Sequence, residues 1–426
     1  MKPSIYNHIV QLNGLEILYN TISNKYVILS DKISKCLLSG TSDLKLKTTL
    51  QNQNFIVDDD INEQQLIESL FLQRRFSSKI YQLILNTSLD CNLSCWYCYE
   101  THLPKSFMSI DLANKIVKHI EIKFKTTHFE LLDLSFFGGE PMMNYKVISF
   151  LLNSIKNLSK SYNFKVHLTF VTNGTLISQR YIDLIQEFPT RFQVTIDGNK
   201  EHHNLTRKYK KSLYGTDSYS KIIEGLRMLN YYDNFYFTIR VNYDNEVLEN
   251  IKRLVSDIDF LNRCRSIISL HKIWQYKANE KDSSLLINII DYFNKHNFVV
   301  NAFPLHTHFE SCYADNYNQA VINYDGSVYK CTARNFAKES PIGYLNSMGF
   351  IEWKTKEISR RLALDIPEKC KQCTLLPSCP GICSQKKYEK EDINEIYCPF
   401  DKNISKDDII LLNIKQQLIT RKNENL

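Results

Sequence analysis

The chain has 426 residues, 43% hydrophobic and 23% charged, a balance that excludes a disordered chain and leaves room for more than one domain. Its net charge of +7 is modest for this length, and no long basic run marks a nucleic-acid surface, so no nucleic-acid partner is expected. No stretch approaches the roughly 20 apolar residues of a bilayer span. Met1 to Val10 also lacks the basic-then-apolar order of a signal peptide, so the expectation is a cytoplasmic protein with no membrane partner.

Residues 1–78 precede any cysteine cluster. The runs Ile17–Thr21 and Tyr26–Leu29, joined by a Ser23-Asn24-Lys25 turn, predict two short strands. A helix follows from Asp31 with Ile33, Cys36, Leu37 and Leu38 on one face, and a second begins near Asn62. From residue 79 to about 300 apolar strand-like runs recur at Tyr81–Leu85, Leu132–Phe137, Val166–Val171, Phe192–Ile196, Phe235–Val241 and Ile267–Trp274. Helical spacing fills the gaps at Leu112–Phe124, Val147–Leu158, Tyr181–Phe188, Ile222–Leu229 and Val247–Ile258. Strands alternating with helices predict an α/β domain of parallel βα units, either a partial barrel or a doubly wound sheet. Beyond residue 300 the alternation stops. Residues 301–405 hold seven of the 12 cysteines and read as a cluster-bound extension with little core of its own, closed by a helix within 406–426.

The cysteines carry the chemistry. In a reducing compartment clustered thiols bind metal or react rather than pair as disulfides. Cys91-Asn-Leu-Ser-Cys95-Trp-Tyr-Cys98 follows the first barrel strand, and three thiolates on one loop can hold three irons of a [4Fe–4S] cluster. The fourth iron then stays open for a ligand. The competing reading is a zinc site built on the Cys95–Cys98 pair.

This spacing resembles the signature of the radical S-adenosylmethionine (radical SAM) superfamily. The resemblance implies that the open iron chelates the methionine moiety of S-adenosylmethionine. Reduction would then release a 5′-deoxyadenosyl radical that abstracts hydrogen from a substrate, the electron coming from an external donor such as flavodoxin or ferredoxin. Gly138-Gly139-Glu140-Pro141 follows the second strand; its glycines allow close approach of a ligand, and its carboxylate suits an ammonium. In the family this loop holds the amino group of the cofactor. Thr172-Asn173-Gly174-Thr175 after the third strand, and Thr195-Ile196-Asp197-Gly198 after the fourth, look like further pocket elements, although such residues also suit any turn. Asn173, Thr195, Asp197 and Arg207 are thus cofactor-binding candidates, with Arg240 and Asn242 behind them. His202 and His203 read as solvent-exposed.

The C-terminal thiols read Cys312, Cys331, Cys370, Cys373, Cys379, Cys383 and Cys398, with Gly326 five residues before Cys331. This resembles the seven-cysteine extension of the SPASM group within that superfamily. The resemblance implies two auxiliary [4Fe–4S] clusters, one on Cys312, Cys331 and Cys383 and one on Cys370, Cys373, Cys379 and Cys398, making three in all. A zinc ribbon on Cys370–Cys383 is the alternative for those residues. Cys36 and Cys264 fit no motif and read as buried thiols.

Within the group, sulfatase maturases place an Asp base directly after the cysteine of the Gly-x4-Cys element, where this chain has Thr332. The other subgroup cross-links side chains of ribosomally made peptides. Its members often carry an N-terminal leader-recognition element, and residues 1–78 resemble one while diverging from its common three-helix, three-strand pattern. The expectation is therefore a peptide maturase acting on a precursor peptide with a leader. A sulfatase maturase, or a zinc-binding interaction protein, is the alternative.

Overall fold

A computed structural model describes residues 1–210, 215–276, 280–303, 305, 309, 312–363, 365–379, 381, 383–389, 398 and 404–425. Chain contacts divide it into two units, Met1–Ser77 with Phe303–Tyr317 and Arg360–Leu418, and Ser78–Ala302 with Asn318–Ser359 and Ile419–Leu426. The extension read as residues 301–405 is thereby divided between them.

In the first unit an antiparallel meander runs β1 (Asn7–Leu12), β2 (Leu15–Asn20) and β3 (Lys25–Ile28). Asn13 and Gly14, with φ of 52° and 79°, form the two-residue turn that matches strand twist and sets the β1–β2 register. Three helices follow, Asp31–Ser39, Leu44–Asn52 and Glu63–Arg75. Ser30, Asp43 and Asn62 cap them by accepting from backbone N–H groups three residues on, satisfying donors a helix start leaves free. A two-stranded pair, Lys2–Pro3 with Ile56–Val57, joins them, so residues 1–77 hold five strands and three helices rather than the plain three-helix, three-strand pattern. Leu38 is 87% exposed, contrary to expectation. Residues 33, 36 and 37 share a helix face, and Leu38 lies further round.

Leu18, Cys36, Leu50, Phe55 and Ile56 form one core of this unit. Val10, Ile17 and Tyr19 form another with Leu375, Ile409, Ile410 and Ile414. The cysteine-bearing segment is tied to the meander by Thr21, whose Oγ1 donates to the Thr374 carbonyl at 2.7 Å and whose carbonyl accepts from Ser378 Oγ.

In the second unit all six expected strands form and a seventh joins them: β4 (Ile80–Ser88), β5 (Leu131–Gly138), β6 (Lys165–Thr172), β7 (Thr190–Thr195), β8 (Phe235–Tyr243), β9 (Ser266–Lys272) and β10 (Val299–Asn301). They are parallel and adjacent in sequence order, which selects a singly wound, barrel-like sheet over a doubly wound one. Phe136, Phe170, Phe192 and Phe237 are register partners on successive strands, and their rings ladder at 4.9, 5.7 and 6.5 Å through the core.

The barrel stays open. Beyond β4 the sheet continues with β11 (Gln319–Ile322), parallel to β4, then antiparallel β12 (Ser327–Tyr329), β13 (Gly343–Leu345) and β14 (Ile351–Trp353). All four residues of β11 are buried, so this part of the extension has a core after all, shared with the barrel. Its short run opens on Gln319 and escaped the pattern reading. No helix among the described residues is long and apolar enough to cross a membrane.

Candidate functional site

Parallel βα sheets collect chemistry at the C-terminal ends of their strands. Here the loop after β4 carries Cys91, Cys95 and Cys98. Its shape is set from both sides. Asp90 accepts from the Cys91 N–H at 2.8 Å and the Lys105 N–H at 3.1 Å. Leu93–Cys95 pairs antiparallel with Arg207–Tyr209, setting Arg207 opposite Cys95.

The glycines after β5 serve this packing. A Cβ on Gly138 would lie 2.1 Å from the Ser88 carbonyl, and one on Gly139 2.3 Å from that of Asp90. The Gly139 and Glu140 N–H groups donate to those same carbonyls at 2.9 Å each. Close approach is required here, but the approaching group is the cysteine loop's own backbone.

Glu140 is fully buried and its carboxylate is engaged by the protein. It accepts from the Met142 N–H at 3.0 Å, the Asn173 N–H at 2.7 Å and Thr172 Oγ1 at 2.8 Å. Burial pushes its pKa up to about 6 against these donors, which favour the anion. Asn173 closes a second circuit: Nδ2 donates to Asn92 Oδ1 at 2.8 Å and faces Cys91 Sγ at 3.7 Å, while Oδ1 accepts from Thr175 Oγ1 at 2.6 Å. Asn92 Nδ2 returns to Thr175 Oγ1 at 2.9 Å.

A third cluster surrounds Asp197, which is fully buried. It accepts from the Tyr97 hydroxyl and from the Asn242 N–H at 2.8 Å, and Arg207 Nη1 lies 3.6 Å away. Tyr97 in turn accepts from Arg207 Nη1 at 2.5 Å and from Asn242 Nδ2 at 3.2 Å. Arg240 Nε donates to Asn242 Oδ1 at 2.9 Å. Burial raises the Asp197 pKa, and the Arg207 charge opposes the rise. Thr195 is buried at the end of β7. His203, expected at the surface, is wholly buried: its Nδ1 accepts from the Asp197 N–H at 3.2 Å, and burial holds the ring neutral. His202 is largely covered too, with Nε2 at 3.1 Å from Thr206 Oγ1. Both lie on the helix Lys200–Thr206, whose packing against Ser218–Asn230 no local pattern announces.

The donor chemistry suits an iron–sulfur cluster and an anionic ligand, although no three His, Cys, Asp or Glu side chains among the described residues are drawn together as a bound metal would draw them. Burial raises all three thiol pKa values, that of Cys98 to about 11, so a bound cation is what would hold them as thiolates. The Leu93 N–H donates to Cys91 Sγ at 3.4 Å, a bond that stabilises thiolate charge. Arg207 Nε is buried with no partner among the described residues. Such a donor is costly unless a ligand meets it.

The remaining thiols fall in both units. Cys370, Cys373, Cys379 and Cys398 lie in the first unit within electrostatic reach of one another. After burial, Cys373 and Cys398 push the Cys370 thiol up, and all three others push Cys379, which stands at about 12. Cys312 and Cys383 belong to the first unit, and Cys331 is buried in the second. Cys36 is buried, but Cys264 is exposed, its Sγ 3.2 Å from the Asn423 carbonyl.

Tyr97, Asn92 and His102, whose Nε2 lies 3.5 Å from Cys98 Sγ, were not singled out by the sequence reading. The signal for Tyr97 was present, a hydroxyl-bearing ring between two cysteines.

Residues 85–258 match the model of the Radical SAM superfamily, and residues 312–374 that of an iron–sulfur cluster-binding domain, SPASM. The chain therefore carries a radical SAM domain and a SPASM domain. Among curated relatives, the chain is 26% identical over 367 residues to a cysteine-type anaerobic sulfatase-maturating enzyme of Clostridium novyi, covering 76% of this chain and 95% of that one. It is 23% identical over 349 residues to the radical SAM cyclopropyl synthase TigE of Paramaledivibacter caminithermalis, covering 73% and 69%. Among solved structures it resembles anSMEcpe with bound AdoMet and Cp18Cys peptide (TM-score 0.56, 18% identity, 82% of this chain and 99% of that one). It also resembles Streptococcus suis SuiB bound to precursor peptide SuiA (TM-score 0.54, 15% identity, 94% and 99%).

Proposed function

We propose that this enzyme is a peptide maturase that removes a side-chain hydrogen from a ribosomally made precursor and installs a thioether, C–C or C–O cross-link. The observation that carries the reading is the N-terminal part of the first unit, a three-stranded meander followed by three helices, which departs from the common leader-recognition pattern by an added two-stranded pair, Lys2–Pro3 with Ile56–Val57. β3 ends its sheet, so backbone donors and acceptors on that edge are available for an added strand from a leader. The SuiB likeness, which spans more of this chain than the anSMEcpe likeness does, supports the same reading at the level of fold.

In this reading Cys91, Cys95 and Cys98 hold the cluster that binds S-adenosylmethionine, and the seven C-terminal thiols hold two auxiliary [4Fe–4S] clusters. The bound cofactors supply the radical that abstracts hydrogen, after reduction by a flavodoxin- or ferredoxin-type donor. The chain's own residues position and exclude water. Arg207 Nε is a donor for the carboxylate of the methionine moiety, and Asp197 and Tyr97 orient Arg207. Asn173 and Asn92 brace Cys91. Glu140 joins the second and third strand-end loops through bonds already made, so it acts as a positioning residue. Gly138 and Gly139 admit the cysteine loop.

Co-expression with a short peptide encoded beside the gene, followed by mass spectrometry, tests the reading: a loss of two hydrogens per modified site is expected. Unchanged peptide mass would count against cross-linking. The curated relatives favour a second reading, a sulfatase maturase. Thr332, standing where those enzymes keep their Asp, weighs against it, and a sulfatase-derived Cys peptide offered in parallel separates the two.

A further inference from the structure

Glu100 lies two residues past Cys98 and takes no part in the networks above. It is only 9% exposed, and neither carboxylate oxygen has a hydrogen-bond partner among the described residues. Burying a carboxylate without a partner is among the more costly arrangements a fold can hold.

The backbone around it is fixed on both sides. Tyr99 stacks on Trp274 with ring centroids 5.0 Å apart, and its hydroxyl donates to the Thr332 carbonyl at 3.2 Å. The Thr101 N–H donates to Asn335 Oδ1 at 3.3 Å, and Asn335 Nδ2 returns to Thr101 Oγ1 at 2.9 Å. Gln275 Nε2 donates to the Tyr97 carbonyl at 3.0 Å. The residues flanking Glu100 are thus tied to the segment after β9 and to the segment after Cys331. All of these lie in the second unit. A buried carboxylate on a segment tied down this way, and without a partner among the described residues, has the character of one half of a contact whose other half arrives with a ligand.

We propose that Glu100 is a substrate-binding carboxylate, accepting a hydrogen bond from an N–H or O–H of the peptide segment being modified. The inference rests on the peptide-maturase reading and adds to it a named contact between the chain and its substrate. It requires the lone acceptor to sit where the substrate, rather than another side chain, completes it.

The test uses full-length, anaerobically reconstituted enzyme with the co-encoded peptide, comparing wild type with Glu100→Gln and Glu100→Met. Product formation is followed by mass spectrometry, and iron content and thermal unfolding are measured on the same samples. Both variants are expected to keep wild-type iron. Glu100→Met is expected to unfold at a higher temperature, because it removes two unsatisfied buried oxygens. Both should lose on the order of 10²-fold in kcat/KM for the peptide, the scale of one charged hydrogen bond. Glu100→Asp should recover part of the loss. Wild-type turnover in both variants overturns the proposal. Loss of iron or a lowered unfolding temperature overturns it as well, since either marks Glu100 as support for the cluster loop. A wild-type enzyme that leaves the peptide unchanged overturns the maturase reading and this contact together.

Discussion

The two groups of thiols are built on opposite plans. Around Cys91, Cys95 and Cys98 a parallel sheet supplies strand ends, and some ten side chains and backbone groups of the cysteine, Glu140, Asn173 and Asp197 loops are already bonded to one another. Around Cys370, Cys373 and Cys379 the local elements are only a four-residue helix, Glu368–Lys371, and a three-residue turn, Leu376–Ser378, anchored to the N-terminal part of the first unit through Thr21 and by the buried Leu375 and Leu376. Short helices of that kind have little stability of their own. Under the proposed function, the first site would seat its metal on a scaffold the protein has already bonded together, and the second would use metal as a structural member.

Four measurements would break or sharpen that contrast. The largest effect expected is chemical: replacing Cys91, Cys95 and Cys98 by alanine should reduce 5′-deoxyadenosine formation to background while far-UV circular dichroism stays unchanged. A collapsed spectrum would show that iron holds the barrel too. Next, stripping iron with a chelator should open amides of Glu368–Lys371 and Leu376–Ser378 to rapid hydrogen exchange while those of β6 stay protected. Equal protection in both would end the distinction. Third, Asp197→Ala should cost about 3–5 kcal/mol in denaturant unfolding, because it leaves Arg207 buried without its counter-charge. A cost below that of an ordinary surface change would mean the Tyr97–Asp197–Arg207 group is not pre-formed. The smallest shift belongs to the meander unit, where Asn62→Ala removes a helix cap at 3.2 Å and should cost about 1 kcal/mol with cluster absorbance untouched.

What the sequence revealed, and what it hid, follows the same division. The barrel strands were legible because each is a run of apolar residues bounded by turn formers, and the cysteine loop because thiols at fixed spacing are rare. β1 was missed although Asn13-Gly14 marks its turn, since His8 and Gln11 blur the alternation. The pocket's inner bracing was illegible for a deeper reason. Tyr97, Asn92 and His203 are polar residues whose burial depends on strands far off in the chain, and local pattern assigns them to the surface. Gly138 and Gly139 were singled out for close approach, and the spacing could not say that the Ser88 and Asp90 carbonyls are among what approaches.

The pairing of β11 with β4 has a consequence for how the protein is made. β4 ends at Ser88, and its outer neighbour begins at Gln319, so during synthesis that flank stays open until about 230 further residues have been added. At ribosomal speeds of about 5–20 residues per second this is a wait of roughly 10–50 s. A nascent chain in that interval carries a long, apolar, unpaired border, the kind of edge on which neighbouring chains stack. Slow decoding or early termination anywhere between the two strands should therefore yield inclusion bodies rather than a smaller working barrel.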